Sequence, residues 1–408
     1  MLQIIVPMAI FTSTVALLAF TVLMVRARLT IREPVSITVN DRQALTAISG
    51  DTLLATLGEQ GIQLPAACGG RGACGQCRVQ IEGTVAPLLP TELNHIHRRD
   101  AAAGMRLACM VKVREDMQVR VPENVLEAQR CSCRVVTNNN ISTFLKQLVL
   151  ELPEGIPFKF TAGDYVLLEA PAGKVDFADF KIDAEYQQAW QSSGVSHCSV
   201  ALAQPTVRAY SLANPPGEQG RLMLVVRIAL PPSGAQSEIP PGMVSSYIFS
   251  LRPGDQVSVT GPFGDFHARE GESEMIFVGG GAGIAPMRSI IHDQLLGRGA
   301  RRKISFWYGS RNVRELCFYD EFSDLAARYE NFSYHVALSG PGIEPTWQGD
   351  KGFIHTVLFE KYLRTHPSPE QVQYYLCGPP LMSAATLAML EDLGVDRDNV
   401  LFDDFGSG

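Results

Sequence analysis

The sequence predicts a multidomain protein: one transmembrane helix, a small strand-rich domain around a cysteine loop, an antiparallel β-barrel, and an α/β domain with a parallel sheet. Three observations lead there. No charged residue occurs between Ile4 and Val25. Cys68, Cys74 and Cys77 fall within ten residues, interleaved with glycine, and Cys109 follows at a distance. From about residue 128 the pattern is short strands broken by Gly and Pro, and from Ser273 onward strands alternate with helices. At 408 residues the chain exceeds one ordinary core. The expected boundaries are 1–34, 35–127, 128–270 and 271–408. A net charge of -7 argues against a nucleic-acid partner. Nine cysteines without paired spacing point to a reducing compartment rather than a disulfide framework.

As a helix, the run from Ile4 to Val25 is about 33 Å long, against a bilayer core of about 30 Å. A cleaved signal peptide is the alternative, but it begins with basic residues. Here Arg26, Arg28 and Arg32 follow the run instead. By the positive-inside rule they keep the folded domains in the cytoplasm of a cell whose membrane the helix crosses.

In the next segment Val35-Ser-Ile-Thr-Val alternates as a half-buried strand, and Thr52 opens a short helix that ends at glycine. Arg78-Val-Gln-Ile-Glu and Met117-Gln-Val-Arg-Val read as further strands. Between them lies Cys68-Gly-Gly-Arg-Gly-Ala-Cys74-Gly-Gln-Cys77, with Cys109 as a fourth thiol. Three cysteines plus a distant fourth match the ligand set of a 2Fe-2S cluster, and glycines let the backbone approach its sulfides. Zinc is the competitor, but structural zinc usually takes two Cys-x-x-Cys pairs and only one is present. His95 and His97 read as surface or capping residues. Short strands with one helix fit the β-grasp fold, and the segment resembles the chloroplast-type ferredoxins. It departs from them in having five residues rather than four between Cys68 and Cys74.

In the barrel segment, Arg208-Ala-Tyr210-Ser211 resembles the flavin motif of the ferredoxin-NADP reductase superfamily, and Gly242-Met-Val-Ser245 its glycine-to-serine helix start. The resemblance implies FAD, with Arg208 at the diphosphate, Tyr210 flanking the isoalloxazine and Ser211 at its reactive nitrogen. Gly242 and Ser245 would open a helix whose free N–H groups receive the diphosphate. Gly261-Pro-Phe-Gly264 closes the barrel. The stretch from Ala172 to Gln204 reads as an insertion, for which two readings stand: a surface excursion packing its own aromatics, or a docking surface for another protein of an assembly.

In the last segment, Glu274-Met-Ile-Phe-Val runs as a buried strand into Gly279-Gly-Gly281-Ala-Gly283-Ile-Ala-Pro286 and a helix from about Met287. Such a turn sets backbone N–H groups against a pyrophosphate. Ile304 to Arg311 supplies the next strand and turn, and Tyr374-Tyr-Leu-Cys377-Gly378-Pro379-Pro380 a further one. In the superfamily the Cys-Gly-Pro signature lies beside the nicotinamide, which implies Cys377 near the hydride path; alternatively it is a small buried thiol. A terminal aromatic commonly covers the flavin there, which implies that role for Phe405. Cys131, Cys133, Cys198 and Cys317 read as buried apolar residues.

Over the full chain, this order of parts resembles the F-subunit family of bacterial sodium-translocating NADH:quinone oxidoreductases. The anchor, the five-residue ligand spacing, the barrel insertion and the Phe402-Asp-Asp-Phe405-Gly tail carry that resemblance. It implies one component of a sodium-transporting NADH:ubiquinone reductase. NADH would give a hydride to FAD, and single electrons would pass to the 2Fe-2S cluster and on to membrane subunits that reduce ubiquinone. NADH over NADPH is carried by the resemblance, and Arg311 is the residue a 2′-phosphate would meet. The alternative is a membrane-anchored NAD(P)H reductase of an oxygenase. A non-catalytic redox or interaction protein is disfavoured because all four cysteines and the flavin motif are present.

Overall fold

The computed structural model describes residues 2–29, 33–66, 68–83, 87–93, 95–96, 98–231, 239–340, 343 and 346–403. His97 and Phe405 lie outside them. The chain divides into two compact units, Met1–Leu64 with Gly70–Leu126, and Pro65–Gly69 with Glu127–Gly408.

In the first unit, α1 (Leu2–Leu29) is one continuous helix. Its side chains are described at 6, 11–22 and 24. Among the described residues no helix is long and apolar enough to cross a membrane; the 12 consecutive side chains at 11–22 span about 18 Å. Next come β1 (Pro34–Val39), β2 (Gln43–Ile48), α2 (Leu53–Glu59), β3 (Arg78–Glu82), α3 (Arg98–Ala102), β4 (Met105–Leu107), β5 (Met117–Arg120) and α4 (Glu123–Glu127). The sheet order is β2-β1-β5-β3-β4, with β1 and β5 parallel and the other pairs antiparallel. Alternation in β1 turns Val35, Ile37 and Val39 inward, and α2, capped by the Thr52 hydroxyl, adds Leu53 and Leu57.

The second unit begins with an antiparallel sheet of β6 (Gln129–Ser142), β7 (Leu145–Glu151), β8 (Tyr165–Ala170), β11 (Thr206–Ser211), β12 (Arg221–Arg227) and β13 (Gln256–Phe263), in the order β11-β8-β13-β6-β7-β12. A bridge from Leu212 to Leu224 brings the two edges together, so the sheet curls into a barrel. Its apolar filling includes Cys131 and Cys133 as well as Leu148, Leu168 and Val259. The insertion holds β9 (Gly173–Asp176), α5 (Ala184–Ser192) and β10 (Ser199–Leu202). Its aromatics pack on the barrel: Phe177 lies 4.5 Å from Phe180, and Trp190 stacks at 6.1 Å on Phe249 of α6 (Met243–Ser250). Of the two readings of this stretch, the packing one is what these side chains do.

Lys146 of β7 ties that insertion down. It is fully buried, and its ammonium donates to the carbonyls of Lys181 (2.8 Å) and Phe249 (3.3 Å). Burial lowers its pKa to about 8, against the opposing pull of Asp183. The unfolded chain therefore binds this proton more tightly, and folding gains stability as pH rises from about 8 towards 10.5, by about 3 kcal/mol in all. The thermal midpoint of the wild-type chain is accordingly expected to rise relative to Lys146→Met between pH 7.5 and 10. A difference flat with pH would contradict it.

The last sheet is parallel: β14 (Met275–Gly280), β15 (Ile304–Ser310), β16 (Phe332–Leu338), β17 (Asp350–Lys351), β18 (Gln373–Cys377) and β19 (Val400–Asp403), in the order β17-β16-β15-β14-β18-β19. Helices α7 (Ile284–His292) and α8 (Tyr319–Arg328) cover one face, over Phe277, Phe306 and Tyr375. On the other face α9 (Ile354–Lys361) and α10 (Pro380–Asp392) pack over Val278, Trp307 and Leu376. Every side chain of β14 and β18 is buried, as strands sandwiched between helix layers require. From β14 the chain goes to β15 on one side and later to β18 on the other. That reversal opens a crevice at the carboxyl ends of β14 and β18.

Candidate functional site

The cysteine loop hands directly into β3. Cys68, Cys77 and Cys109 are buried and Cys74 is half-buried; no disulfide joins any of the nine cysteines, all of which are described. The Cys77 carbonyl accepts from Ala108 N–H at 2.8 Å, which sets Cys109 beside the end of the loop. Gly70 brings the loop to Cys109 from the other side, since a Cβ there would stand 3.9 Å from the Cys109 Cβ. Gly75 has φ +67° and supports the His95 ring, which would lie 2.7 Å from any Cβ; both demands leave only glycine. His95 thus packs on the loop.

Two braces of this loop were not apparent from local spacing. Arg78 Nε donates to the Gly75 carbonyl (3.0 Å) and its Nη2 to the His95 carbonyl (2.9 Å). Glu92, fully buried, takes two bonds from Arg106 (2.9 and 2.7 Å) and one from Leu107 N–H (3.0 Å). Burial alone would raise the Glu92 pKa, but Arg106 and the Leu107 and Leu89 amides outweigh it and hold the carboxyl below its ordinary value. Glu92 thereby anchors the strand leading to Cys109. Among the described residues no three His, Cys, Asp or Glu side chains are gathered into a closed metal site. The thiols fit a cluster by donor chemistry, burial and the glycine loop around them.

In the barrel, β11 pairs with β8 so that Arg208 faces Leu168 and Tyr210 faces Val166. Arg208 and Tyr210 are half-buried, while Ser211 is buried. The Arg208 guanidinium bonds the carbonyl of its own neighbour, Val207, at 2.8 Å. Dense surroundings push the Tyr210 phenol above its ordinary pKa, with Arg208 pulling it back. Gly242 N-caps α6 with no side-chain cap, leaving first-turn N–H groups for an anion. Ser245 Oγ is used locally, accepting from Ala229 N–H and donating to the Gly242 carbonyl, both at 3.1 Å. Its part is to shape the turn.

At the crevice, the turn from Gly279 through Gly281 to Gly283 leads into α7, whose first turn contains Pro286, where no intrahelical N–H is needed. Gly279 and Cys377 are partners across β14 and β18, and Cys377 and Asp403 across β18 and β19. A Cβ on Gly283 would overlap the Cys377 carbonyl and stand 2.8 Å from Gly378 N. One on Gly378 would come within 3.0 Å of Gly280 N. The two turns are therefore packed backbone to backbone. Pro379 follows as the N-cap of α10.

Ser211 of the barrel donates its hydroxyl to Asp403 at 3.1 Å, across 192 residues of sequence. This bond carries the flavin-motif serine to the edge where Gly279 and Cys377 lie. Asp403 was missed in the sequence, which drew attention to Phe405 two residues on. Arg288 and Ser289 of α7 hold the same junction, donating to the carbonyls of Ala213 and Asn214, each at 2.8 Å.

Comparison with known proteins agrees with these parts. Residues 37–114 match the 2Fe-2S iron-sulfur cluster binding domain, 178–268 the oxidoreductase FAD-binding domain and 277–387 the oxidoreductase NAD-binding domain. Among solved structures, the chain resembles the Amycolatopsis cytochrome P450 reductase GcoB (TM-score 0.62, 24% identity, 91% of this chain and 98% of that one). It also resembles the ferredoxin reductase in carbazole 1,9a-dioxygenase (TM-score 0.59, 23% identity, 92% and 99%). At these identities the likeness establishes the fold. Fold and site together define a flavoprotein reductase with its own 2Fe-2S domain.

Among curated relatives, the F subunit of the Na(+)-translocating NADH-quinone reductase of Klebsiella pneumoniae is 48% identical over 408 residues, covering 99% of this chain and 100% of that one. The F subunits of Marinomonas sp. (48%, 99% and 99%) and Neisseria gonorrhoeae (46%, 99% and 100%) match similarly. The chain belongs to the F-subunit family of Na(+)-translocating NADH-quinone reductases.

Proposed function

We propose that the chain is the electron-input component of a membrane respiratory complex. It oxidises NADH and passes electrons to membrane partners that reduce ubiquinone coupled to sodium export. The observation that carries this reading is the convergence of Ser211, Asp403, Cys377 and Gly279 on one edge. The turn from Gly279 to Gly283, the first turn of α7, Gly378 and Pro379 would hold NADH. Arg208, Tyr210, Gly242 and the start of α6 would hold FAD, and Cys68, Cys74, Cys77 and Cys109 the cluster. The flavin supplies the exchange between a two-electron hydride and single electrons. Asp403 fixes the Ser211 hydroxyl in one direction, and Cys377 closes the floor of the crevice with a small, buried side chain. Phe405 is proposed to cover the flavin face.

The anchor belongs to the same reading. Phe11, Val15, Leu17, Leu18, Phe20 and Val22 of α1 are all exposed, and within 11–22 the arc they leave open holds only the small side chains of Thr12, Ala16 and Ala19. A helix apolar all round belongs in a bilayer unless its own protein covers it. The Thr21 hydroxyl donates back to the Leu17 carbonyl at 2.7 Å, so its polar group is satisfied inside the helix. With Arg26, Arg28 and Arg32 following, the proposal takes α1 as a single pass of the bacterial inner membrane, with the folded domains in the cytoplasm.

In membranes carrying Ser211→Ala, sodium-stimulated NADH:quinone reductase activity is expected to fall about tenfold or more at undiminished FAD content. Asp403→Asn is expected to act in the same direction with a smaller effect. Unchanged activity in Ser211→Ala would overturn the assignment of this junction.

A further inference from the structure

The parallel sheet has a second edge, at the amino ends of its strands, one strand length or about 20 Å from the crevice. A cleft of about 180 Å³ opens there between the segments entering β14 and β15. Arg269, Arg298, Arg301 and Arg302 line it, with Glu270 and Glu272 as the acidic side chains among its lining.

The four guanidinium groups are not equivalent. Arg298 is neutralised by Asp293, Nε to Oδ2 at 2.7 Å. Arg301 is exposed and Arg269, also exposed, donates to the Asp398 carbonyl. Arg302 is only 8% exposed, and its partners are two neutral amide oxygens, Gln373 at 3.3 Å and Gln294 at 2.8 Å. Among the described residues none of Arg269, Arg301 and Arg302 has a carboxylate within ion-pair distance. A buried cation solvated by amides keeps its charge uncompensated. Burial works against that charge, and Tyr375 and then Glu272 only partly offset it. Glu270 and Glu272 are exposed and form no ion pair with the cleft's arginines, so an anion entering competes with solvated side chains rather than with formed pairs.

Planar guanidinium forks suit the oxygens of a phosphate, and the volume suits one or two phosphoryl groups. We propose that this cleft binds a phosphate-bearing anion through Arg269, Arg301 and Arg302, at a site separate from the nucleotide crevice. A free oligophosphate and a phospholipid headgroup offer the same chemistry.

The test is calorimetric titration of the FAD-loaded full chain in detergent with NAD saturating, so that the crevice is already filled. Inorganic pyrophosphate is the probe in one arm and glycerol phosphate, standing for a headgroup, in the other. Saturable binding of either anion, weakened about tenfold or more in both Arg301→Gln and Arg269→Gln, is the expected result. NADH oxidation in phosphate-free buffer should be unchanged in both variants. Binding of pyrophosphate alone assigns a soluble ligand, and of glycerol phosphate alone a lipid; either supports the site. Both substituted side chains are exposed, and Arg301→Gln, which breaks no bond among the described residues, separates lost binding from the lost Arg269 to Asp398 contact. No saturable binding of either anion, or equal affinity in wild type and variants, overturns the proposal and leaves the electron-input reading untouched.

Discussion

Gly283→Ala is expected to reduce NADH oxidation by about a hundredfold or more, the scale of a misplacement near 1 Å at a reacting site. The backbone angle is not at issue, because Gly283 has φ -61°, ordinary for alanine. The obstacle is steric. The added methyl would overlap the Cys377 carbonyl and crowd Gly378 N at 2.8 Å, and both are backbone atoms of a fully buried strand end that cannot rotate away. The turns after β14 and β18 must part, which moves the proposed pyrophosphate cradle away from Cys377. Gly281→Ala is the control. Gly281 has φ +57°, but its nearest neighbour is Arg227 Nη1 at 3.8 Å, so alanine there displaces no protein atom and adds to the left-handed cost of about 1–2 kcal/mol no parting of the two turns. Steady-state kinetics with NADH, beside thermal unfolding of both variants, distinguishes them. A Gly283→Ala chain no more impaired than Gly281→Ala would contradict the close packing of the two turns.

Cys77→Ser is expected to abolish the cluster while leaving the flavin in place. Cys77 is 1% exposed and its carbonyl takes the Ala108 N–H, so the side chain is fixed at the hinge between loop and β3. Serine at that position is a far weaker ligand for iron than a thiolate. The variant should lose the visible absorption of a 2Fe-2S centre, keep NADH:ferricyanide activity within about twofold, and lose quinone reduction by about a hundredfold or more. Ferricyanide takes electrons one at a time from reduced flavin, whereas in the proposed scheme the path to the membrane partners runs through the cluster. Retention of quinone reduction without cluster absorption would remove the cluster from that path.

What was legible in the sequence was whatever chemistry demands at short range. The spacing of Cys68, Cys74 and Cys77, the Arg208-x-Tyr210-Ser211 motif and the turn from Gly279 to Pro286 are each set within one loop or strand end, so their residues stand together in the chain. The strands expected at Val35, Arg78, Met117, Glu274 and Ile304 are present, with ends shifted by a residue or so. The groups that were not legible act across long separations. Asp403 reaches Ser211 over 192 residues, and Lys146 meets Phe249 over 103. Glu92 and Arg106, only 14 residues apart, are joined by burial rather than by any periodic pattern. Strands the sequence reading did not name include β2, β16 and β19, and the shortest of them, β4 with three residues and β17 with two, are too brief to show alternation. An acidic side chain near the carboxyl terminus, in a strand after the helix that follows Cys377, was the available signal for Asp403. Its meaning emerged only once β19 paired with β18.

The most direct test of electron input through this chain is an anaerobic titration of the purified, FAD- and cluster-loaded full chain with NADH. If one chain converts a hydride into single electrons, it takes up about three electrons, two at the flavin and one at the cluster, and the Cys77→Ser variant takes up about two. The 2Fe-2S centre should become paramagnetic in the wild type as the flavin absorption bleaches. A cluster that stays oxidised while the flavin is fully reduced, or equal electron uptake by wild type and variant, would contradict it.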